Sequence, residues 1–364
     1  MKAGTGTTQE HVLSMDMRVA ALAQLGAVMG HLGRGDTWPG HACGVNQEEY
    51  DELDAVIRKA HQRNGWFVEE NVCHAFSSWA FALEVDRMNA WLKGYPKLGD
   101  GRAPLRTVGL ILAGNIPLVG LHDVLCVWLS GHRARVKCSS QDPELVPALI
   151  ALLGQLAPGI EEQITFTTGK LGEVEAVIAT GSNNTARYFE HYFGHLPRIV
   201  RKSRVSVAVL DGTETEQELT ALGEDVFRYF GLGCRNVAKL YLPQDFDLDR
   251  VFEAFFPWQG VANHNKYGNN YDYTRAIWLL DRVTFLDNGF LLLKEDAALA
   301  SPVGALHYER YADNALLREQ LEQQAASIQC IVGHGHVPFG TAQSPELGDY
   351  ADGIDTIRFL LDLK

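Results

Sequence analysis

Cys234 is the side chain of this sequence whose surroundings best suit a nucleophile. It lies in the stretch Phe230-Gly-Leu-Gly-Cys-Arg-Asn236, after two glycines at the end of a predicted helix and before an apolar, strand-like run. A thiol on such a tight loop can be surrounded by backbone N–H groups, which stabilise the thiolate that attacks a substrate. The alternative interpretation is a small buried cysteine in a helix-to-strand turn, a common place for a free cysteine.

Polar residues follow three short apolar runs that precede this cysteine. The runs span residues 107–113, 133–137 and 176–180. They have the composition of buried parallel strands. Their carboxyl ends carry Asn115, Lys137 and the turn Thr180-Gly181-Ser182. Because ligands of open α/β sheets bind at the carboxyl ends of the strands, these residues are candidates for a binding site.

The order of the elements indicates an α/β fold. Strand-like runs alternate with helical segments from about residue 105 onward, whereas the first 100 residues are predicted to be mostly helical. Further strands are predicted at residues 163–167, 205–210 and 356–363, and a loop at 257–273. Helices are predicted at residues 47–62 (with Asn46 as N-cap), 69–92, 119–130, 143–156, 183–193 and 216–230.

The composition limits the class of protein. The chain has 364 residues, a formal net charge of −13 and a pI of about 5.4. This acidic balance argues against wholesale binding to nucleic acid or to an anionic membrane. No run reaches the ~18 apolar residues that span a bilayer, so no integral membrane segment is expected. The N-terminus has no signal-peptide core, which makes the cytoplasm the expected location.

Neither the cysteines nor the histidines have the spacing of a metal site. The six cysteines form no C-x-x-C pair, so neither a zinc ribbon nor a redox pair is indicated, and six reduced thiols are expected. His334 and His336 stand two residues apart without a nearby Cys or Asp in the sequence, which is poor spacing for zinc. No metal is therefore expected.

Four segments, taken in this order, resemble a known family. They are Leu112-Ala-Gly-Asn-Ile-Pro-Leu-Val-Gly120, Val136-Lys-Cys-Ser-Ser140, the stretch around Cys234, and Val337-Pro-Phe-Gly-Thr-Ala-Gln-Ser-Pro-Glu-Leu347. They resemble the acyl-CoA reductases that include the fatty-acid reductase of bacterial luminescence (LuxC-like), a branch of the aldehyde dehydrogenase superfamily. Each motif is weak alone. Their order and spacing carry the resemblance, which covers roughly residue 105 to the C-terminus.

The resemblance implies an aldehyde dehydrogenase-like α/β fold with a Rossmann-type cofactor domain, an α/β catalytic domain and a small oligomerisation element. We expect a helical N-terminus and NAD(P)-binding domain over residues 1–204, and a catalytic domain that carries the thiol over residues 205–335. Residues 336–364 would return to the first domain or serve the subunit interface. A homo-oligomer is expected.

The resemblance also implies the chemistry. Cys234 would attack a thioester to form a thioacyl enzyme, and the coenzyme thiol would leave. Hydride from a nicotinamide would then give a thiohemiacetal, which collapses to the aldehyde. Asn115 occupies the place of the superfamily's oxyanion-hole asparagine, and its amide would act together with the backbone N–H of Cys234. The alternative for Asn115 is a turn residue before Pro117.

The cofactor residues implied by the resemblance follow the strand-like runs. Lys137 stands where the family has a lysine that hydrogen-bonds the cofactor ribose. Ser140 replaces the glutamate with which NAD-preferring members hold the 2′-hydroxyl, and without that carboxylate a 2′-phosphate could fit. Thr180, Gly181 and Ser182 would pass the pyrophosphate at a helix N-terminus, although they could also be an ordinary turn with Ser182 as N-cap. NADPH is therefore the expected cofactor, with NADH as the alternative.

Two departures from the superfamily bear on the reaction. Its hydrolytic members carry a Glu-Leu-Gly-Gly stretch whose glutamate activates water. The matching region here is Pro197-Arg-Ile-Val-Arg-Lys-Ser203, with an arginine near that place. Without that base, water attacks a thioacyl enzyme slowly, which favours acyl transfer between thiols over oxidation to a free acid. The second ribose-binding glutamate is also not evident, and Ser301-Pro-Val-Gly304 lies where it would be sought.

The sequence therefore predicts NADPH-dependent reduction of a fatty acyl thioester to the aldehyde, with the acyl group on coenzyme A or on an acyl-carrier protein. A partner protein that hands over the acyl group is an expected interaction. Three alternatives stay open. They are a CoA-acylating aldehyde dehydrogenase running in the oxidative direction, a cofactor-independent cysteine acyltransferase or thioesterase that uses a histidine such as His264, and a non-catalytic scaffold.

Overall fold

Four helices form the start of the chain, of which the computed structural model describes residues 13–98 and 105–363. Asn46 caps the second helix in a capping box with Glu49, as the sequence predicts. The predicted helix 69–92 is two helices, because the chain turns at Leu83 and Glu84. The helices are Met15–Gly33 (α1), Gln47–Arg63 (α2), Glu69–Ala82 (α3) and Val85–Leu92 (α4).

The first sheet has five strands. They are Thr107–Ile111 (β1), Arg133–Lys137 (β2), Ile164–Phe166 (β3), Ala176–Thr180 (β4) and Arg198–Arg201 (β5), of which β5 was not predicted. All pair in parallel, in the order β3-β2-β1-β4-β5. The connecting helices are Leu121–Leu129 (α5), Leu145–Leu156 (α6), Ile160–Gln163 (α7) and Asn183–Phe193 (α8). The parallel pairing places the carboxyl ends of β1, β2, β4 and β5 at one edge of the sheet.

The second sheet has six strands and is mixed. They are Val205–Val209 (β6), Val237–Pro243 (β7), Leu286–Asp287 (β8), Leu292–Glu295 (β9), Ala305–Tyr311 (β10) and Ile328–Val332 (β11). The order is β11-β6-β7-β10-β9-β8, and only the β8–β9 pairing is antiparallel. The helices that follow β6 are Glu216–Phe227 (α9), Asp249–Phe255 (α10), Asn265–Leu280 (α11), Asn314–Gln323 (α12) and Thr356–Leu361 (α13).

Two predicted elements are wrong. Residues 257–273, predicted as a loop, form the 3-10 helix Phe256–Asn263 and the first half of α11. The side chain of His264 caps α11, and Tyr267, Tyr271 and Trp278 are buried along one face of it, so packing outweighs its many Asn and Gly residues.

The C-terminal residues 356–363, predicted as a strand, form α13. The side chain of Asp355 caps this helix by accepting a hydrogen bond from the Arg358 N–H at 2.9 Å. Ile357 and Leu360, three residues apart, are buried in the same core as the first sheet and the N-terminal helices. The apolar residues of this segment, which suggested a strand, therefore form the buried face of a helix.

The segment that contains α13 also bonds to the first sheet. Arg201, the last residue of β5, donates from Nη2 to the Thr356 hydroxyl at 3.0 Å, and Nε2 of His132 lies 3.0 Å from the Leu360 carbonyl. The second sheet has a separate core around α9 and α10. The domain boundaries given above stay a prediction. In the described ranges, none of the helices combines the length and hydropathy that crossing a bilayer requires.

Candidate active site

A cavity of about 740 Å³ opens between the carboxyl edge of the first sheet and the loop before β7. Its volume is typical of a small-molecule site. Five of the predicted site residues line it, namely Cys234, Asn115, Thr180, Gly181 and Ser182. Lys137 and Ser140 are not in this wall, although their neighbours Ser139 and Gln141 are. The structure therefore brings the predicted nucleophile, the predicted oxyanion residue and the predicted phosphate turn together.

The loop that carries Cys234 begins in a strained turn. Tyr229 and Phe230 have positive φ (54° and 56°), which costs non-glycine residues on the order of 1–3 kcal/mol each. Both side chains are buried. The Tyr229 hydroxyl lies 3.0 Å from Nδ1 of His74. The Phe230 ring stacks on His264 with 4.3 Å between centroids. These contacts with the N-terminal helices and α11 hold the turn in place.

Asn236 fixes the peptide that precedes the nucleophile. Its buried side chain accepts a hydrogen bond from the Gly233 N–H at 2.7 Å and donates one to the Arg228 carbonyl at 2.8 Å. Its own N–H donates to the Gly233 carbonyl at 3.1 Å. The Cys234 N–H lies on the opposite side of that trans peptide, and it donates to no other residue of the described chain. Its interaction within the described chain is with the thiol of the same residue, which an oxyanion would replace as its acceptor.

Asn115 lies against the same loop. Its Nδ2 donates to the Leu232 carbonyl at 2.7 Å, and the residue is exposed in the cavity. A primary amide carries two hydrogens that can be donated. The bond to Leu232 uses one of them and orients the amide, so the second is available. The cavity thus contains two N–H donors near the thiol. One is the Asn115 amide, which follows the first sheet's β1, and the other is the Cys234 N–H, which precedes the second sheet's β7.

The turn that carries Asn115 is held by two buried polar side chains. Asn64 donates from Nδ2 to the Gly114 carbonyl at 3.2 Å. Asp142 accepts a hydrogen bond from the Leu118 N–H at 3.3 Å, and burial raises the pKa of its carboxyl to about 6. Asn115 is thus a residue of the turn before Pro117, which was the alternative interpretation of its role. Its amide also lies in the cavity.

The protein raises the pKa of the Cys234 thiol. The main cause is desolvation, and the nearby Arg235 guanidinium acts in the opposite direction. The residue is exposed in the cavity, yet the cavity walls surround it, so it is reachable while it lacks the solvation of bulk water. The neutral thiol is therefore the resting form, and the local N–H groups alone do not produce a thiolate.

Each carboxylate of the cavity wall is paired with an arginine. Asp123 forms a buried bidentate pair with Arg201, in which Nη2 and Oδ1 are 2.9 Å apart. The other pairs are Asp352–Arg204 at 3.2 Å, Glu346–Arg87 at 3.1 Å and Asp349–Arg235 at 3.7 Å. Arg201 belongs to the region noted above, Pro197–Ser203, that matches the superfamily's catalytic-glutamate stretch. As far as the structure describes the wall, it has no unpaired carboxylate that could activate water.

The start of α8 suits an anionic ligand. Ser182 caps the helix, because its hydroxyl accepts a hydrogen bond from the Thr185 N–H at 3.2 Å. A Cβ on Gly181 would lie 3.1 Å from the Thr185 side chain, so glycine leaves the backbone accessible there. The remaining N–H groups of the first turn favour a phosphate. With Lys137 at the end of β2, which β1 separates from β4, these residues fit a dinucleotide, and their binding role stays a prediction.

The histidine of the cofactor-independent alternative is not near the thiol. Nε2 of His264 lies 2.8 Å from the Gly65 carbonyl, and Nδ1 accepts a hydrogen bond from the Tyr267 N–H at 3.4 Å. Both ring nitrogens are therefore engaged by backbone, and His264 does not line the cavity. It cannot deprotonate Cys234 in this arrangement.

His334 lies in a cluster of metal-ligand type that its sequence spacing did not indicate. Ligand atoms of His334, Asp211 and Glu214 lie within 4.8 Å of one another. However, the ring hydrogen-bonds Asp211 at 2.8 Å and Glu218 at 3.0 Å, and these bonds raise the His334 pKa to about 9. Both ring nitrogens are thus engaged by carboxylates, and in its protonated form the ring has no lone pair for a metal ion.

The residues that hold the nucleophile loop were not predicted from the sequence. Asn236 and the buried Asp225 are the main ones. Asp225 accepts hydrogen bonds from the N–H groups of Gly340 and Ala342 at 2.6 and 2.8 Å, and thereby fixes the segment before the cavity residue Gln343. The only signal for Asn236 was its place two residues after Cys234, and Asp225 gave none.

Comparison with solved structures finds several aldehyde dehydrogenases and an NADP dependent enzyme. The P. syringae indole-3-acetaldehyde dehydrogenase AldA, in complex with NAD+ and IAA, has a TM-score of 0.57 at 14% identity, over 86% of this chain and 71% of its own. An E. coli NADP dependent enzyme has 0.60 at 15%, over 88% and 73%. A Mycobacterium tuberculosis aldehyde dehydrogenase complexed with NAD+ has 0.53 at 13%, over 83% and 74%.

No family model matches this sequence, and no curated protein matches it. Identities of 13 to 15% establish a likeness of fold and leave the subfamily open. The likeness extends over more than four-fifths of the chain. The protein therefore has an aldehyde dehydrogenase-like α/β fold, with a parallel Rossmann-like sheet and a second, mixed sheet.

Proposed function

We propose that the protein is an NADPH-dependent reductase of fatty acyl thioesters that works through a thioacyl enzyme on Cys234. The observation that carries the proposal is the cavity wall, where a reachable thiol lies near two available N–H donors and every carboxylate is paired with an arginine. The likeness to aldehyde dehydrogenases solved with NAD+ supports a nicotinamide cofactor.

In the proposed acylation step, Sγ of Cys234 bonds to the thioester carbonyl carbon and the carrier's sulfur leaves. The proton of the Cys234 thiol goes to the departing sulfur, and the carrier therefore leaves as a neutral thiol. Negative charge develops on the carbonyl oxygen, where the Cys234 N–H and the second amide hydrogen of Asn115 stabilise it. Loss of one such donor typically lowers the rate on the order of 100- to 1000-fold.

In the second step, the thioacyl carbon would receive the hydride that a bound, reduced nicotinamide supplies. Lys137, Ser140 and the turn Thr180-Gly181-Ser182 would hold the cofactor. The same two donors near Cys234 stabilise the oxygen of the resulting thiohemiacetal. Collapse of the oxyanion of that species releases the aldehyde and leaves the Cys234 thiolate, which takes one proton from solvent to return to the thiol.

The pairing of the carboxylates explains why the thioacyl enzyme would persist. A general base must accept a proton from water before water can attack a thioester at a useful rate. Asp123 is the carboxylate of the wall that is most deeply buried, and Arg201 holds both of its oxygens. Acyl transfer to or from a thiol therefore outcompetes hydrolysis.

An apolar part of the cavity is suited to the acyl tail. Ala75, Trp79 and Ala82 line it from one face of α3, because they are four and three residues apart. Leu118 and Leu347 line it from other segments. The two alanines leave space that a larger residue would fill, so Ala82→Phe should shift the preference toward shorter acyl groups.

The cofactor choice rests on Ser140. This exposed residue carries no charge that would repel a 2′-phosphate, and one of the similar structures is of an NADP dependent enzyme. Ser140→Glu should lower kcat/KM for NADPH relative to NADH. Unchanged relative values would contradict the assignment of Ser140.

The oxidative reaction of a CoA-acylating aldehyde dehydrogenase uses the same residues, and metabolite levels decide the direction. The position of His264 counts against a cofactor-independent acyltransferase. A homo-oligomer, an acyl-carrier protein or protein partner as acyl donor, and a cytoplasmic location remain parts of the proposal.

Intact mass after mixing with a panel of acyl-CoAs, without cofactor, tests the proposal. The expected result is a gain of one acyl group that is absent from Cys234→Ala and retained by Cys73→Ala, which removes a part-buried thiol outside the cavity wall. Addition of NADPH should then release the aldehyde. An adduct that persists in Cys234→Ala, or no adduct with any acyl-CoA or acyl-carrier protein, would refute the thioacyl mechanism.

A further inference from the structure

A buried serine and a second cysteine lie behind the nucleophile. Ser206, on β6, has no exposed surface, and its hydroxyl donates to the Cys234 carbonyl at 3.0 Å. Cys330, on β11, donates its N–H to the same Oγ at 3.2 Å. The Cys330 sulfur lies 3.1 Å from that oxygen. These contacts link two strands of the second sheet to the residue that carries the thiol.

The hydrogens in this group can be assigned by counting. A serine hydroxyl has one hydrogen to donate and two lone pairs to accept with. The hydrogen of Ser206 goes to the Cys234 carbonyl, so the Cys330 thiol must be the donor in its contact with Ser206. The Cys330 N–H occupies the other lone pair. All bonding capacity of the buried hydroxyl is thus used, and its hydrogen can point only at the Cys234 carbonyl.

The sheet is irregular on both sides of Ser206. The pairing of β6 with β7 shifts its register between Ser206 and Val207. The pairing of β11 with β6 shifts between Ile328 and Ile331, the span that contains Cys330. Such irregularities redirect side chains and are frequent next to active sites. Here they accompany the contact of the Ser206 hydroxyl with the nucleophile loop.

We propose that Ser206, oriented by Cys330, is a positioning residue that fixes the peptide following Cys234. Asn236 already fixes the peptide that precedes it. With both flanking peptide planes held, the φ and ψ of Cys234 are set, and so is the direction of its Cα–Cβ bond, from which the sulfur takes one of the staggered χ1 positions. The consequence for acyl transfer rests on the function proposed above.

Two matched variants test this inference. Ser206→Ala removes the hydroxyl behind Cys234. Ser130→Ala removes a hydroxyl that also donates to a backbone carbonyl, that of Val127 at 2.8 Å, at the end of α5. The probe is p-nitrophenyl acetate, an activated ester that needs no coenzyme A site. The burst of p-nitrophenol reports acylation, and iodoacetamide followed by peptide mass reports the reactivity of the Cys234 thiol itself.

We expect Ser206→Ala to slow acylation about fivefold, the effect of one ordinary hydrogen bond, and Ser130→Ala to leave it unchanged. Alkylation by iodoacetamide, which needs no aligned oxyanion donor, should change less than twofold in Ser206→Ala. Equal burst rates in the two variants would overturn the inference. So would a parallel loss of acylation and alkylation, because that indicates a damaged fold rather than a misdirected sulfur.

Substitutions of Cys330 separate its role from that of the serine. Cys330→Ser keeps a donor beside the Ser206 oxygen, whereas Cys330→Ala removes it. We expect the alanine variant to lose more of the acylation rate than the serine variant, and the reverse order would contradict the assigned hydrogen. If p-nitrophenyl acetate acylates Cys234 in this pattern but no acyl-CoA does, the proposed function fails and the positioning role stands.

Discussion

Asn115→Ala removes the amide that we assign to the oxyanion. One amide hydrogen is bonded to the Leu232 carbonyl at 2.7 Å, and the other is available in the cavity. Because Asn115 is exposed, loss of the Leu232 bond should lower the free energy of unfolding by only about 1 kcal/mol. Loss of the oxyanion donor should lower kcat 100- to 1000-fold, which corresponds to about 2.7–4 kcal/mol of transition-state stabilisation.

Single-turnover release of coenzyme A, with NADPH affinity measured separately, distinguishes these effects. Asn270→Ala is a matched control, because Asn270 is also exposed and its Nδ2 also donates to a carbonyl at 2.7 Å, that of Lys266, outside the cavity wall. Asn115→Asp keeps the shape but provides no amide donor and places a negative charge near the developing oxyanion, so it should be at least as slow as the alanine variant.

Two results would refute this reasoning. An Asn115→Ala enzyme that releases coenzyme A within about fivefold of the wild-type rate would show that the amide is not an essential oxyanion donor. Equal losses of acylation rate and NADPH affinity would instead assign Asn115 to the structure of its turn. Activity in Asn115→Asp that exceeds that of Asn115→Ala would also contradict the expected charge on the oxygen.

Cys234→Ala should abolish turnover while the melting temperature stays near that of the wild type, as calorimetry can show; normal activity would exclude the mechanism. Burial raises the pKa of Asp225 to about 7, so the folded state binds this proton more tightly than the unfolded state, and the free energy of unfolding should fall as the pH rises from about 4 to about 7. In Asp225→Asn, the free energy of unfolding measured with urea should depend less on pH across that range. Arg201→Ala leaves a buried carboxylate unpaired and should cost about 3–5 kcal/mol of stability in the same assay. Five exposed apolar side chains lie between residues 273 and 286, so Leu280→Glu should lower the mass of a homo-oligomer in sedimentation, whereas Leu316→Glu on α12 should not.

The strands of the first sheet were largely predictable because each is a short apolar run followed by a turn. β1, β2, β3 and β4 all lie within the predicted runs. The strand β5, with arginine at both ends, has no such pattern, and its assignment depends on pairing with β4. The sequence of α11 likewise conceals a helix, because its Asn and Gly residues have low helix propensity and its buried aromatic side chains determine the outcome.

For the site, the sequence identified residues that carry reactive atoms and missed those that hold them. Cys234 and Asn115 belong to motifs with a recognisable order, and the structure places both in one cavity. Ser206 acts through a contact with a residue 28 positions away, and its partner Cys330 is 124 positions away. No local pattern records such a contact, because the position of the two strands in the sheet creates it.

Bonds from the C-terminal segment to the first sheet, to the residue before β2 and to the N-terminal region make the cavity a late product of folding. Thr356 completes the surroundings of Arg201 over a separation of 155 residues, Leu360 bonds His132 over 228, and Asp355 bonds Tyr95 over 260. Contacts between such distant positions form slowly and only after the intervening chain is in place. A nascent chain that has not yet reached residue 356 contains Cys234 but leaves Arg201 without one of its partners. Completion of this part of the cavity wall is thereby tied to synthesis of the chain through residue 356.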